Sequence, residues 1–133
     1  MPLMFGNRAG RPASFIGSWF EALRAGRELT LFFDEIRTPV SGRVAAEGLL
    51  LVLEADVAGV LHLGGAEAIS RYDFGLRFCE VFGFSVDLLK AVPMDSVVMA
   101  APRARNVALV SERAGALGYA PGTVVAQLRD ELL

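Results

Sequence analysis

Few residues in this 133-residue chain are able to do chemistry, and their spacing excludes several reaction classes at once. His62 is the only histidine and Cys79 the only cysteine. Acyl transfer by a serine needs a base beside the nucleophile. His62, however, falls inside Val60-Leu61-His62-Leu63, predicted as an apolar strand, and is expected there as a satisfied core residue. Cys79 lies between Phe78 and Val81 on a predicted helix, with no second histidine to activate it, and reads as a buried, inert thiol. A single cysteine also excludes a disulfide framework. A zinc site would have to be built mainly from carboxylates, which suits that ion poorly, so no metal site is expected.

The carboxylate pairs Asp34/Glu35 and Asp130/Glu131 are adjacent in sequence, so their side chains point apart. Both pairs are expected in solvated loops or at helix ends, and neither is assigned as a general acid/base couple. Arginine is more informative. Of 13 basic residues only Lys90 is lysine, so a bound anion must be held by guanidinium forks or backbone amides. Arg37 follows the acidic Asp34-Glu35 turn, and Arg103 follows Pro102 just before a predicted strand. Two arginines at the ends of extended pieces suit a phosphate or diphosphate. From these residues alone, surface ion pairs with nearby acids are an equal reading.

A dinucleotide cradle needs a Gly-x-Gly-x-x-Gly turn between a strand and a helix. It is absent. Gly64-Gly65 runs on into Ala66-Glu67-Ala68 and is a turn at most, and no Gly-x-x-x-x-Gly-Lys loop occurs. The net charge of −2, from 15 acidic and 13 basic residues, gives no footprint for nucleic acid and no polybasic patch for anionic lipid.

The elements that must position these residues alternate between helix and strand. Pro12 is placed to open a helix whose Phe15, Ile16, Trp19, Phe20 and Leu23 recur at helical spacing up to Gly26. Leu29 to Phe33 is a short β-prone run, and Ile36 to Val40 a second extended piece in which Pro39 argues against a central strand. Ser41 caps a helix over Val44 to Leu53, apolar on most sides and expected to be largely buried. Ser70-Arg71-Tyr72-Asp73 has the form of a capping box, and Gly83 stands where a left-handed terminator belongs. Extended pieces are predicted at Asp87 to Val92, around Val97-Val98-Met99 and at Asn106 to Val110. Ser111 is predicted to cap a short helix, and Pro121 to start a last one with Val124, Val125, Leu128 and Leu132 inward.

This order predicts an α/β fold, an α+β lobe with a small mixed sheet of short strands packed with about five helices. A length of 133 residues fits one domain spanning residues 1–133, and 53% apolar residues supply a core. The richest apolar stretch, Val44 to Leu63, contains Glu47, Glu54 and Asp56, so no membrane span is expected. The apolar start Met1 to Phe5 ends at Gly6-Asn7-Arg8, too short for a signal peptide, and a cytoplasmic location is the expectation.

Five segments in order resemble the C-terminal part of the extended short-chain dehydrogenases/reductases. They are Leu3-Met4-Phe5-Gly6-Asn7, the run Phe32 to Val40, Gly59 to Gly65, Ser70 to Phe74 and Pro102 to Leu109. Within that family the likeness is nearest to the dTDP-4-dehydrorhamnose reductases and NAD(P)-dependent sugar epimerases. The resemblance covers nearly the whole chain. It implies a lobe that grips a nucleotide-diphosphate sugar, with Arg37 and Arg103 near the diphosphate and Asn7 near the sugar or diphosphate. It also implies NAD(P) held by a Rossmann half that this chain lacks, supplied by a partner chain or domain, with a homo-oligomer as a further possibility for the partner.

The family's Tyr-x-x-x-Lys pair cannot be drawn, since Tyr72 is followed four residues on by Leu76 and Tyr119 by Thr123, while Lys90 is preceded by Val86. No catalytic residue is therefore expected here. The alternative reading is a non-catalytic regulatory or interaction module derived from the same family. A lobe that normally packs on a Rossmann domain is expected to expose an apolar face when alone, with self-association or poor solubility as the consequence.

Overall fold

The computed structural model describes residues 2–6 and 14–131. Among them lie six short strands: β1 (Met4–Phe5), β2 (Leu29–Phe32), β3 (Ile36–Arg37), β4 (Val40–Ser41), β5 (Ile69–Ser70) and β6 (Leu89–Val92). They alternate with α1 (Phe15–Arg24), α2 (Gly42–Glu54), α3 (Arg71–Phe82), α4 (Glu112–Ala116) and α5 (Val124–Asp130). The fold is the predicted mixed α/β lobe, and its strands are distributed over three two-stranded ladders. β1 pairs with β4 and β2 with β6 in parallel, and β3 pairs with β5 antiparallel.

Local chemistry explains where the helices start. Ser14, Ser41, Ser70 and Thr123 each accept a first-turn amide through a side-chain oxygen. At α3 the predicted capping box is complete, with the Asp73 amide donating to Ser70 Oγ and the Asp73 carboxylate accepting from the Ser70 amide. Gly83 ends that helix at φ 73°, the left-handed region that favours glycine. Pro12, expected to open α1, lies outside the described residues. The last helix is capped by Thr123 rather than started by Pro121.

The main core lies where α1 and α3 meet the β2·β6 ladder. Phe74 is fully buried and meets Phe5, Phe15 and Trp19 edge-on at centroid distances of 5.2, 5.5 and 5.7 Å. Gly75 lets α3 approach the ladder: a Cβ there would stand 2.4 Å from a Leu31 methyl carbon. Leu128 and Val124 of α5 close the other side. Cys79 is buried in this core, and burial raises its thiol pKa, as expected of an inert thiol.

Several expectations are corrected. Helix α2 buries only Ala45 and Gly48, because its contact with Tyr119 runs through small residues. A Cβ on Gly48 would stand 2.8 Å from the tyrosine ring. Leu49, Leu50 and Leu53 are consequently exposed. The segment Val60 to Leu63 is extended chain without a ladder partner, and His62 is exposed, with Nδ1 3.3 Å from the Val110 carbonyl oxygen. Asn106 to Val110 makes only a single parallel bridge, Asn106 to Ile36, and the stretch around Val97-Val98-Met99 forms no strand. Ser111 precedes α4 as predicted, but its hydroxyl accepts from the Gly64 amide at 2.9 Å instead of capping the helix.

Candidate functional site

The turn between β2 and β3 carries Asp34 and Glu35, whose side chains diverge as adjacent residues must. Their surroundings depart from the solvated loop expected of them. Glu35 is 2% exposed. Its backbone carbonyl accepts from the Arg71 amide at 3.1 Å, which seats the start of α3 against the turn. Its carboxylate then meets three guanidinium groups. Oε1 lies 2.9 Å from Arg37 Nη2 and 2.6 Å from Arg103 Nη2, and Oε2 lies 3.9 Å from Arg71 Nε.

A buried carboxylate is tolerated only when its charge is matched. Here three positive groups face one negative group, so the cluster keeps an excess of positive charge. Burial lowers the Arg71 pKa, the Glu35 carboxylate opposes that shift, and the Arg103 and Arg37 charges add to it. The Arg71 guanidinium also sits over the Phe15 ring, 4.3 Å from its centroid, and 5.2 Å from that of Trp19.

The two arginines singled out from sequence are thus brought together, in unlike settings. Arg37, on β3, is occupied: Nη1 donates to the carbonyls of Ile36 at 2.7 Å and Arg105 at 3.3 Å, and Nη2 to that of Ala104 at 3.0 Å. It staples the segment that carries Arg103. Arg103 is 52% exposed at its side chain and meets Glu35 through one nitrogen. Asn7 lies outside the described residues.

Asp34 serves the same segment from the opposite side. Its carboxylate accepts from the Met94 amide at 2.9 Å and pairs with Arg105, whose other nitrogen lies 2.6 Å from Asp95. This buckle ties the short 3₁₀ turn Met94–Ser96 to residues 103–105. Between them is a pocket of about 270 Å³ lined by Met94, Val97, Met99 and Pro102 together with Arg103, Arg105 and the Asp95 carboxylate that pairs with Arg105. Arg105 is neutralised by Asp34 and Asp95, so the apolar walls and the half-exposed Arg103 are what suit the pocket to an organic anion rather than a bare ion.

Glu35 and Arg71 are the members that residue-type reasoning missed. Glu35 was readable only as half of an acidic turn, although its two-residue spacing from Arg37 in an extended chain places both side chains on one face. Arg71 was absorbed by the capping motif around it.

A profile of the RmlD substrate binding domain matches residues 2–130 of this sequence. The chain belongs to the RmlD substrate binding domain family. A probable low-salt glycan biosynthesis reductase of Haloferax volcanii, Agl14, is 34% identical over 103 residues, 77% of this chain and 34% of that protein. The dTDP-4-dehydrorhamnose reductase of Yersinia enterocolitica superposes with a TM-score of 0.80 at 18% identity, over 97% of this chain and 47% of that one. That of Bacillus anthracis str. Ames, in complex with NADP, gives 0.83 at 13% identity, over 97% and 45%. At those identities the two structures establish the shared fold. This RmlD-type chain spans between about a third and about a half of the relatives it matches.

The NADP of the Bacillus structure raises the question of fit to this RmlD-type domain. Among the described residues the two longest helices that follow a strand, α2 and α3, open on serine hydroxyls that each accept one first-turn amide, from Val44 and Asp73, and α3 also carries the Asp73 carboxylate in that turn. Gly64-Gly65 is explained by packing: a Cβ on Gly65 would stand 1.8 Å from the Pro39 carbonyl oxygen. Neither feature is the glycine-rich strand-to-helix turn that cradles a pyrophosphate.

Proposed function

We propose that this RmlD-type domain grips the nucleotide-diphosphate part of a nucleotide sugar and presents the sugar to a nicotinamide-binding Rossmann domain, in the same polypeptide or a second chain. Hydride transfer then belongs to the pair and not to this domain alone. The observation that carries the reading is the position of Arg103: it lines the 270 Å³ pocket while one of its nitrogens rests on the positively charged Glu35 cluster. In this reading Arg103 is the direct diphosphate donor, Arg37 fixes the backbone from which it projects, and Asn7 lies near the sugar or the diphosphate.

The face on which the partner docks is the apolar side of α2. Leu49 and Val52 form, with Val57, Val60, Leu61 and Leu63, a groove of about 530 Å³. Leu53 and Val60 are 81% and 74% exposed. Apolar surface gathered in this way is costly in water and marks an interaction site. The unpaired segment Val60 to Leu63 beside it is suited to extending another sheet.

Calorimetric titration tests the reading. A dTDP- or UDP-sugar is expected to bind weakly to the isolated domain and more weakly still to Arg103→Ala. No heat with any nucleotide sugar, with a Rossmann partner domain also supplied, would leave the docking face as the domain's function and make it an interaction module.

A further inference from the structure

We propose that Glu35 is the positioning residue of the anion site: a buried carboxylate that holds Arg37, Arg71 and Arg103 together and keeps Arg103 poised as the donor that an incoming diphosphate takes. The proposal rests on the reading of the cluster as a diphosphate site.

The three arginines are not equivalent. Arg37 donates to three backbone carbonyls as well as to Glu35, so both of its terminal nitrogens are committed. Arg71 is confined between Glu35 and the faces of Phe15 and Trp19, with its side chain 17% exposed. Arg103 alone combines contact with Glu35 and wide access to solvent, 52% at the side chain. Because Arg37 and Arg103 share Oε1 of Glu35, the carboxylate keeps a partner when Arg103 turns to a phosphate oxygen. A phosphate oxygen offers the guanidinium fork the same planar recognition as a carboxylate. Exchange therefore leaves no buried charge unmatched, which is the condition for it to occur at low cost.

Positioning and simple electrostatics predict opposite signs. If the Glu35 charge only repels anions, its removal strengthens their binding. If Glu35 gathers the guanidinium groups, its removal scatters them and weakens binding although the cluster has gained positive charge.

The experiment is titration of the full chain with inorganic pyrophosphate and with dTDP, using wild type, Glu35→Gln, Arg103→Ala and the double variant, with circular dichroism as the folding control. Glu35→Gln is expected to weaken pyrophosphate binding about tenfold, the effect of one charge-assisted contact of ~1.4 kcal/mol. In the Arg103→Ala background the same change is expected to add little, because Glu35 acts through Arg103. Should Glu35→Gln fail to fold, Glu35→Asp, which keeps the charge and retracts it by one methylene, is expected to give the same loss. Unchanged or tighter binding by a folded variant, or additive effects in the double variant, would overturn the proposal and leave the diphosphate reading intact. A wild type that binds neither pyrophosphate nor dTDP would overturn both.

Discussion

Arg103 Nη2 lies 2.6 Å from Glu35 Oε1, the oxygen that Arg37 Nη2 also reaches at 2.9 Å. One buried acceptor is shared by an exposed donor and a committed one. That division of labour separates what each arginine does for binding from what it does for folding.

Arg103→Ala is expected to lower nucleotide-sugar affinity about tenfold while changing stability by no more than about 1 kcal/mol, since Arg103 is half exposed and buried Glu35 keeps Arg37 and Arg71 as partners. Arg37→Ala removes the donor of the Ile36, Ala104 and Arg105 carbonyls and a partner of buried Glu35, and is expected to cost about 3 kcal/mol. Urea unfolding followed by circular dichroism measures both. Equal stability losses in the two variants would contradict the assignment.

Gly65→Ala is expected to destabilise the domain by about 3 kcal/mol. The added Cβ would stand 1.8 Å from the Pro39 carbonyl oxygen, a backbone atom that cannot step aside as a side chain can. The strain falls where the Gly65 amide donates to the Thr38 carbonyl, next to β3 and β4. A thermal midpoint within a degree of wild type would show that the chain relaxes there.

Leu50→Glu and Leu53→Glu test the apolar face. Both leucines are exposed, at 61% and 81%, so each change is expected to alter stability by less than ~0.5 kcal/mol and to reduce self-association in light scattering. Loss of several degrees in the melting temperature would mean instead that these side chains are packed within the fold.

Stability is expected to fall as pH rises above about 9. Burial raises the thiol pKa of Cys79 above its ordinary 9.0 and the phenol pKa of Tyr119 above 10.0. The unfolded chain therefore loses these protons first, holds fewer protons than the native chain through this window, and is favoured by each added unit of pH. Near pH 7, well below both ordinary pKa values, both groups are neutral in both states and contribute no slope. Cys79→Ala is expected to remove the first part of the alkaline decline, as read from denaturation midpoints between pH 8 and 11. A midpoint that stays flat in wild type across that range would rule the mechanism out.

Features encoded within one helical turn were legible in the residues themselves. The Ser41 cap, the Ser70–Asp73 box and the Gly83 terminator are local hydrogen-bond and backbone preferences, and each stands where the sequence places it. Burial was less legible. The leucines of α2 look like core because residue type does not tell which apolar face finds a partner within the chain, and the groove they line stays open. Val60 to Leu63 has the composition of a strand, yet a strand needs a neighbour, and none of the described residues supplies one.

By itself the sequence determined that any bound anion would have to meet arginine or backbone amides, that Arg37 and Arg103 lie at the ends of extended segments, and that no tyrosine stands four residues before a lysine. Only the tertiary structure decided that Glu35, from an acidic turn, is buried under Arg37, Arg71 and Arg103. The reason is physical. Those groups come from the β2–β3 turn, β3, the first turn of α3 and the segment before Asn106. They converge because backbone hydrogen bonds of Ile36 and Arg71 draw separate stretches of chain against one turn.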